Sequence, residues 1–401
     1  MKSGAPSVLA GVSPPLRSPA RIVWRASPHR SDSPSTDLRH ARTSSGTNGA
    51  HAPRRLELAA LGARRLHAGR SLKRAHPHAE IPVVQSQSPA ESCCSPTSAR
   101  GEAVHSASTH DAPLAALLDA HFDGTPGVIE EFPLLVGGEN RRRCKVISAG
   151  GEYLAHAAWR PVTLRTESGR VDAAGIGLVT THADHRDRGL ASQLVEACVE
   201  EARAEGADLA FLFSAPRQLY ARLGFVPAGR ERLAWVSGSG PSAGGGDAYR
   251  VRPRRRADDA GITVLLRSTG VGADRTSSEL SALLEIPGTE VWVCSRRGVV
   301  RAYCVVGKGR DLRGVVHEWA GEDAALAHLL SAVAERASEP IPVLGPASRL
   351  PPGARRSQVH PLALMRILRP AAFGTDDPAR AFGAGEAAGA RDLYIWGLDS
   401  V

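Results

Sequence analysis

The segment 175–229 constrains the fold of this 401-residue chain more than any other part. An apolar run leads into a tight basic loop, Arg186–Ala191, and then into an amphipathic pattern of helical period over Leu190–Glu205. The continuous apolar run Ala207–Ala215 is typical of a central strand covered on both faces. A short helix opened by Pro216 and a last strand complete the segment. The pattern predicts a strand–loop–helix–strand–helix–strand unit.

The predicted helix over Leu190–Glu205 has two faces of different character. Its apolar residues recur at helical spacing and are expected to pack on a sheet. Gly206 suits its C-terminal cap. The side chains expected on the solvent face are Glu196, Glu200, Glu201 and Arg203.

Antiparallel strands are predicted before this unit. Pro113–Phe122 has the pattern of a helix, while Gly127–Val136 is apolar and of undecided type. Three alternating runs separated by glycine-containing turns then predict a meander of hairpins. These runs are Cys144–Ser148, Tyr153–Arg165 and Val171–Thr181.

The same order of elements recurs after Ser237–Gly246, which has the composition of a flexible linker. Residues 248–370 therefore predict a second copy of the α+β plan. Residues 371–401 are a connector followed by an expected final strand, Asp392–Val401. The elements expected in the second copy are strands Tyr249–Pro253, Glu290–Ser295, Val299–Lys308, Val315–Gly321 and Pro342–Leu344, and helices Asp258–Ser268, Ser278–Glu285 and Glu322–Ser338.

Composition and charge exclude several classes of protein. The net charge of +9 lies in residues 1–110, which hold 15 basic and 6 acidic residues, so the remaining 35 basic and 35 acidic residues balance. A nucleic-acid partner is not expected without a basic face on the folded part. No run approaches the roughly 20 apolar residues of a membrane span, so no membrane partner is expected. Six scattered cysteines predict a reduced, cytoplasmic protein without a metal site.

Residues 1–108 are rich in Ser, Pro, Arg and Ala and lack a sustained period. Such a segment cannot bury enough apolar surface to offset ordering, so a disordered tail is expected. Its start, without acidic residues, also has the composition of an organellar transit peptide. A mis-assigned start codon is the simpler alternative.

The loop Arg186–Ala191 has the composition of an anion site. The N terminus of a helix offers free backbone N–H groups at the positive end of the helix dipole. Arg186 and Arg188 add positive charge, and Gly189 lets the backbone approach a phosphate closely. Neither the P-loop pattern nor the dinucleotide pattern G-x-G-x-x-G is present. Because arginines that only solvate a helix start would give the same pattern, the loop alone is a weak signal.

Three motifs together resemble the GNAT superfamily of acyl-CoA N-acyltransferases. Val179–Thr181 leads into Arg186-x-x-Gly189-x-Ala191, which is similar to the [RQ]-x-x-G-x-[GA] motif that binds the pyrophosphate of acetyl-CoA in that family. Leu219–Phe225 is similar to the second family motif, Y-x-x-x-G-F. One helix and one strand fit between the motifs, as the family's fold requires. The resemblance implies tandem GNAT folds of the α+β class, each a mixed, largely antiparallel sheet flanked by helices, with a catalytic domain at 109–236.

The resemblance implies a role for each matching residue. The strand Val179–Thr181 would splay from Phe211–Ala215 and pair with the pantetheine arm, and the loop would hold the pyrophosphate. Tyr220 stands where the family places a general acid, because a phenol stays protonated at neutral pH and can donate to the departing thiolate. The alternative for Tyr220 is a side chain packed on its short helix. The residues implied in binding acetyl-CoA are Val179, Thr181, Arg186, Asp187, Arg188, Gly189, Leu190, Ala191 and Ser192.

The base that deprotonates the attacking amine stays open. Glu130, Glu131, His182 and His185 are candidates, although the two histidines are more simply polar loop residues. GNAT enzymes also use a water chain in this role.

The tandem arrangement and the Gly137–Asn140 run resemble the enhanced-intracellular-survival type of acetyltransferase. In that type the C-terminal carboxylate reaches the active site, which makes Val401 a second catalytic candidate. Residues 371–401 are too few for the sterol-carrier-like domain of that type, so its hexamer and its aminoglycoside chemistry are not implied.

The second copy is expected to lack a CoA site. At its corresponding junction, Trp319–Ala324, acidic residues replace the arginines. Carboxylates suit a helix N terminus but repel a pyrophosphate. The second copy is therefore predicted to be degenerate and to form a wall of the acceptor cleft.

The prediction for function is an N-acetyltransferase that moves an acetyl group from acetyl-CoA to a primary amine in a ternary complex. Cys198 lies mid-helix, so no cysteine nucleophile accompanies the loop. The acceptor, a small molecule or a peptide amine, and the oligomeric state, for which a homo-oligomer is one outcome, stay open. The alternative function is a non-catalytic acyl-CoA-binding regulatory module.

Overall fold

The computed structural model describes residues 104–106, 112–122, 127–215, 218–238, 249–337, 339–383 and 392–401. Residues 109–236 are called the first half and residues 248–370 the second half. The helices and strands up to the end of the first half are β1 (Val104–Ser106), α1 (Ala112–His121), α2 (Pro133–Val136), β2 (Cys144–Ala149), β3 (Glu152–Thr166), β4 (Gly169–Thr181), α3 (Leu190–Ala204), β5 (Leu209–Leu212), α4 (Gln218–Arg222) and β6 (Val226–Val236).

The second half follows the predicted order of elements, with one long strand that the sequence did not predict. Those elements and the helix after them are β7 (Arg250–Pro253), α5 (Asp259–Ser268), β8 (Gly272–Ala273), α6 (Ser277–Leu283), β9 (Glu290–Arg296), β10 (Val299–Val306), β11 (Val316–Gly321), α7 (Asp323–Ala337), β12 (Ile341–Pro346), β13 (Ala354–Ile367) and α8 (Pro378–Phe382).

All strands in the described residues belong to one sheet, with β8 attached to β3 beside the main path. The order along the path is β1-β2-β3-β4-β5-β13-β6-β12-β11-β10-β9-β7. Two pairs, β4 with β5 and β11 with β12, are parallel, and the other described pairs are antiparallel. Helices α3, α5 and α7 pack on this sheet. The predicted class, α+β with a largely antiparallel sheet flanked by helices, is confirmed.

The two halves exchange strands at the centre of the sheet. Leu364–Ile367 of β13 pairs with Leu209–Leu212 of β5. Strand β6 instead pairs along its length with β13 and, on its other side, with β12. Each half therefore completes the other's part of the sheet, and the halves cannot separate without breaking backbone hydrogen bonds.

Strand β13 was missed because Pro361 stands within it. Proline argues against a central strand, since it cannot donate to the ladder. Pro361 lies before Leu364, where the pairing of β13 with β5 begins, and so occupies a part of the strand with one neighbour.

The helix α3 is attached to the sheet by glutamates that were expected to face solvent. Glu201 accepts a hydrogen bond from Trp159 Nε1 at 2.7 Å and from Lys145 Nζ at 3.0 Å. Glu196 accepts from Arg366 at 2.8 Å. Glu196 and Glu201 are thus only partly exposed, because a glutamate at the edge of the helix reaches donors on the strands. Glu200, paired with Arg203, is exposed as expected.

The chain ends differ from the predictions where they are described. The expected disordered tail lies outside the described residues except near its end, where Val104–Ser106 is a strand paired with β2, so the prediction is wrong there. Residues 239–246 of the predicted linker also lie outside. The expected C-terminal strand does not form, since residues 392–396 carry no strand and Gly397–Asp399 is a 3₁₀ turn.

Residues 392–401, called the C-terminal segment, are held by side chains instead of a strand ladder. Leu393, Tyr394 and Trp396 are buried, and Trp396 packs edge-to-face on Trp319 with ring centroids 6.0 Å apart. The Tyr394 hydroxyl donates to Glu231 of β6 at 2.9 Å. Burial raises the pKa of Glu231 to about 7, although the Tyr394 hydrogen bond opposes this shift.

The pKa of Glu231 predicts a pH-dependent stability. Because the folded protein holds this proton more tightly than the unfolded chain, stability is lost as pH rises from the ordinary pKa of 4.5 to about 7. A Glu231→Gln variant avoids that loss. Its free energy of unfolding relative to wild type should increase by on the order of 2 kcal/mol between about pH 5 and about pH 8, as measured by urea denaturation.

Glu152→Gln, at the exposed start of β3, is the matched control and should show no such change. An unchanged difference between the Glu231→Gln variant and wild type across this range would contradict the assignment.

Candidate active site

The strands β4 and β5 separate part of the way along the sheet. Their parallel pairing covers Ala173–Gly175 with Leu209–Phe211 and goes no further in the described residues. Strand β4 continues to Thr181 while still paired with β3 on its other side. One edge of Ile176–Thr181 therefore offers backbone hydrogen-bonding groups to a wedge-shaped gap, called the split. Val179 and Thr181 lie on this edge, and the predicted separation of the strands is confirmed.

A bulge at Leu178 shapes the unpaired edge. The register between β3 and β4 shifts between His156 and Ala158, and Leu178 adopts a left-handed φ of 51°. This conformation costs about 1–2 kcal/mol for a residue with a side chain. Nδ1 of buried His156 donates to the Leu178 carbonyl at 2.9 Å and so stabilises the bulge.

His156 stays neutral, since burial lowers its pKa to about 4 despite the hydrogen bond to Leu178. Its Nε2 and the Oγ1 of its cross-strand neighbour Thr180 are buried without a hydrogen-bond partner in the structure. Sequence analysis missed His156, because a single histidine in an apolar strand carries no signal of such a role.

Two glycines bring the end of the sequence onto β4. A Cβ at Gly177 would collide with the carbonyl carbon of Val401 and lie 3.0 Å from Leu135 Cδ2. A Cβ at Gly175 would lie 3.0 Å from Val401 Cγ1. Val401, distant in sequence, thus lies against the strand where the split begins, and the absence of side chains at these two positions makes the room.

The loop after β4 ends in an uncapped helix. Asp187 and Gly189 adopt left-handed φ values of 61° and 79°, and α3 begins at Leu190. Gly189 supplies no side-chain cap, and the first turn of α3 contains no acidic residue. Its first amide groups have no acceptor within the helix. Exposed Arg186 and Arg188 stand beside them, so the loop has the geometry and the charge of an anion site.

The two loop histidines serve the loop itself. His182 Nδ1 accepts from the backbone N–H of Asp184 at 3.3 Å and caps a 3₁₀ turn. His185 Nδ1 lies 2.6 Å from Arg188 Nη1. These contacts favour the alternative in which His182 and His185 are polar loop residues.

Tyr220 lies on α4 and is 6% exposed. Its ring packs edge-to-face on Phe225, with centroids 6.3 Å apart, in the apolar cluster that joins α3 to Ile176 of β4. Successive side chains of a strand point to opposite faces, so the Ile176 side lies across the sheet from the Gly175 and Gly177 side. Tyr220 and Val401 are therefore on opposite sides of β4.

A small, partly open pocket lies on the Val401 side. Both halves and the C-terminal segment contribute to it. Glu131 is half-buried in its wall, whereas Glu130 is exposed. Burial raises the pKa of Glu131, although Lys308 opposes this shift, and burial lowers the pKa of Lys308 to about 7. The lining residues are Glu131, Phe132, Pro133, Leu134, Leu135, Arg160, Leu283, Lys308, Leu398, Ser400 and Val401.

The corresponding junction of the second half is closed. Glu322 pairs with Arg301 at 2.9 Å, and Asp323 pairs with Arg349 at 3.1 Å. Between β11 and β12, Trp319 donates to the Leu344 carbonyl at 2.8 Å, and its ring lies against Gly345. An indole thus fills the place that is open in the first half.

Cys198 is buried in α3, and burial raises its thiol pKa, so it is unsuited to act as a nucleophile. In the part of the chain that the structure describes, no three His, Cys, Asp or Glu residues are grouped to bind a metal ion. Likewise, no described helix is long and apolar enough to cross a membrane.

Known proteins share this fold. The chain is similar to a GCN5-related N-acetyltransferase from Kribbella flavida, with 20% identity over 66% of this chain and 71% of that one and a TM-score of 0.51. A GCN5-related N-acetyltransferase from Anabaena variabilis shows 16% identity over 67% and 73%, with the same TM-score. Eis1 from Mycobacterium abscessus shows 14% identity over 68% and 75%, with a TM-score of 0.48.

No curated protein matches the sequence. A family model described as the acetyltransferase (GNAT) domain matches residues 112–228, from the start of α1 into β6. This range contains the split, the basic loop and Tyr220. Residues 112–228 form a domain of the GNAT acetyltransferase family.

Proposed function

We propose that this protein transfers an acetyl group from acetyl-CoA to a primary amine. The observation that carries the proposal is the split between β4 and β5, which opens beside the uncapped basic N terminus of α3. An extended arm ending in a pyrophosphate needs both features at once. Unpaired backbone groups can bond its amides, and free helical amides can bond its phosphates.

In this proposal the donor lies along the first half. Backbone groups of Val179 and Thr181 pair with the pantetheine arm. The pyrophosphate binds to the loop and first helical turn, formed by Asp187, Gly189, Leu190, Ala191 and Ser192, with Arg186 and Arg188 supplying positive charge. The thioester then lies at the Leu178 bulge, where the neutral His156 maintains the strained backbone.

The two sides of β4 suit the two proton transfers. The amine attacks the thioester carbonyl from the pocket side and the carbon–sulfur bond breaks, so that the thiolate takes its proton from Tyr220 on the α4 side. The amine proton goes to a carboxylate in the pocket. We assign this role to the Val401 carboxylate, supported by its place on Gly177, with Glu131 as the alternative.

The second half serves as a wall of the acceptor pocket in this proposal. Paired acidic residues at its junction and the Trp319 indole leave no cradle for a second CoA. Direct transfer in a ternary complex is favoured by the burial of Cys198.

The activity can be tested by release of free thiol from acetyl-CoA with a panel of primary amines. Arg186→Glu should weaken acetyl-CoA binding about tenfold or more, because it replaces attraction to the pyrophosphate by repulsion. Calorimetry measures that affinity. Glu322→Gln, at the second-half junction, is the control and should bind acetyl-CoA as wild type does.

Binding of acetyl-CoA without thiol release with any amine would instead support the non-catalytic acyl-CoA-binding module. If Arg186→Glu keeps both the wild-type affinity for acetyl-CoA and the wild-type turnover, the assigned phosphate site is wrong.

Tyr220→Phe tests the general acid. Without the hydroxyl, the departing thiolate lacks its proton donor, and kcat should fall by about 10²-fold or more while acetyl-CoA affinity is retained. Steady-state kinetics and calorimetry measure the two quantities. Tyr153→Phe, remote on β3, is the control. Unchanged turnover would remove Tyr220 from the mechanism.

A short C-terminal extension tests Val401. A Gly-Ser tag displaces the carboxylate from β4, so kcat should fall by about 10²-fold, as expected for loss of a general base. The same tag on the N terminus is the control. Full activity of the C-terminally tagged protein would exclude the Val401 carboxylate and favour Glu131.

A further inference from the structure

We propose that Lys308, together with Arg275 and Arg160, is a positioning residue that fixes Gly397–Val401 as one wall of the acceptor pocket. Through these contacts the second half acts on the site of the first half. The inference rests on the proposed function, because it places the C-terminal segment on the acceptor side of an acyl-transfer site.

The Lys308 side chain is directed at the C-terminal segment. Its ammonium donates to the carbonyl oxygens of Gly397 at 3.3 Å, Leu398 at 3.2 Å and Ser400 at 2.8 Å. It also contacts Ser400 Oγ at 3.0 Å. All four oxygens come from three residues, Gly397, Leu398 and Ser400, within a stretch of four. They replace the hydration shell that the buried ammonium has lost, which requires this stretch of backbone to curl around it.

The pocket side of the ammonium is closed by the first half. Lys308 Nζ lies 4.9 Å from the centroid of the Phe132 ring, at a distance that suits a cation–π contact. Phe132 and Lys308 both line the pocket. The lysine therefore contacts the first half and the C-terminal segment at once, while its own backbone follows β10 of the second half.

Asp399 provides a second, independent attachment of the same segment. Its side chain is fully buried and lies between two arginines. Arg160 of β3, in the first half, donates at 3.0 Å, and Arg275, after β8 in the second half, donates from Nε at 3.1 Å and from Nη2 at 2.5 Å.

Arg275 is itself fixed by a buried carboxylate. It forms a two-pronged pair with Glu318 of β11 at 2.9 and 2.6 Å, and Glu318 also accepts from the Tyr303 hydroxyl at 2.9 Å. Burial alone would raise the pKa of Asp399, but Arg275 and Arg160 hold it below its ordinary value, so Asp399 stays charged. The turn Gly397–Asp399 is thus oriented by groups from both halves.

These attachments determine where Ser400 and Val401 lie. Only Ser400 separates Asp399 from Val401, which contacts β4 at Gly175 and Gly177. The Lys308 amino group and the oxygens that accept from it are buried together. Leaving any of them without a hydrogen-bond partner costs the desolvation of that group, so the arrangement has few alternatives. Removing the ammonium leaves those carbonyls without a donor, and the segment should leave β4.

The experiment uses Lys308→Met in the full chain, which keeps the length of the side chain and removes the ammonium. Hydrogen exchange of the amides at residues 397–401 should accelerate about tenfold or more, while exchange in β3 and β10 stays as in wild type. In steady-state kinetics the ratio kcat/KM for the acceptor amine should fall about tenfold, with KM for acetyl-CoA within about twofold of wild type.

Ser400→Ala is the second variant, for the case that Lys308→Met fails to fold. It removes one of the four oxygens and should give smaller changes in the same direction. Arg301 lies on β10, the strand that precedes Lys308, and forms a half-exposed pair with Glu322. Arg301→Met breaks this pair and is the matched control, which should leave both measurements unchanged. Restoration of slow exchange by Lys308→Arg would support a donor role, as opposed to mere filling of space.

The inference is overturned if the amide hydrogens of residues 397–401 exchange at the wild-type rate in a folded Lys308→Met or Ser400→Ala protein. It is also overturned if these variants weaken acetyl-CoA binding and leave kcat/KM for the acceptor amine unchanged. The exchange measurement needs no substrate. If the wild-type protein transfers no acetyl group, the proposed function is wrong. The exchange rates of residues 397–401 still show whether Lys308 holds the segment in place.

Discussion

The insertion of β13 between β5 and β6 is the constraint on which the rest of the structure depends. It makes one sheet out of two similar halves and leaves the split between β4 and β5 on one side of the exchanged strands. Strand β13 bonds to β5 over four residues, Leu364–Ile367, on the edge of β5 that faces away from β4. On its other edge β5 pairs with β4 as far as Gly175, and the split opens beyond that residue.

The two halves share a backbone arrangement, and their side chains determine whether it forms an open cleft or a packed core. Both contain a parallel pair of strands that separates after a short ladder. In the first half Gly175 and Gly177 leave the surface of β4 open for Val401 and for the proposed substrates. In the second half Trp319 fills the gap and bonds across it. The same topology therefore gives a cleft in one half and a packed core in the other.

The C-terminal segment contacts both the packed core of the second half and the open cleft of the first half. Trp396 packs on Trp319 in the closed half, and five residues later Val401 touches β4 in the open half. Between them lies a buried network of two arginines and two carboxylates, Arg160, Arg275, Asp399 and Glu318. Burying such charges contributes little net stability, because the cost of their desolvation offsets their attraction. Their hydrogen bonds nevertheless restrict the positions that the four side chains can take. A network of this kind favours one position of the segment over others.

Local pattern was enough to predict most of the first half. The hairpins from Cys144 to Thr181, the helix from Leu190 and the anion-binding composition of Arg186–Ala191 follow from periodicity and from the chemistry of helix ends, which act over a few neighbouring residues. The family resemblance carried by Arg186, Gly189 and Tyr220 is likewise a matter of short motifs at fixed spacing. The domain match over residues 112–228 agrees with it.

Contacts between distant parts of the chain were decided only by the tertiary structure. No periodicity marks β13 as a central strand, because Pro361 breaks the pattern and the residues that make it fit, in β5 and β6, are more than a hundred positions away. Nor does the sequence distinguish Lys308, Arg275 and Asp399 from ordinary surface charges. Their burial depends on the exchanged strands bringing both halves around residues 397–401. The sequence by itself determined the local elements and the composition of the loop, while long-range packing decided which residues surround the pocket, since burial and charge pairing exist only once the chain has folded.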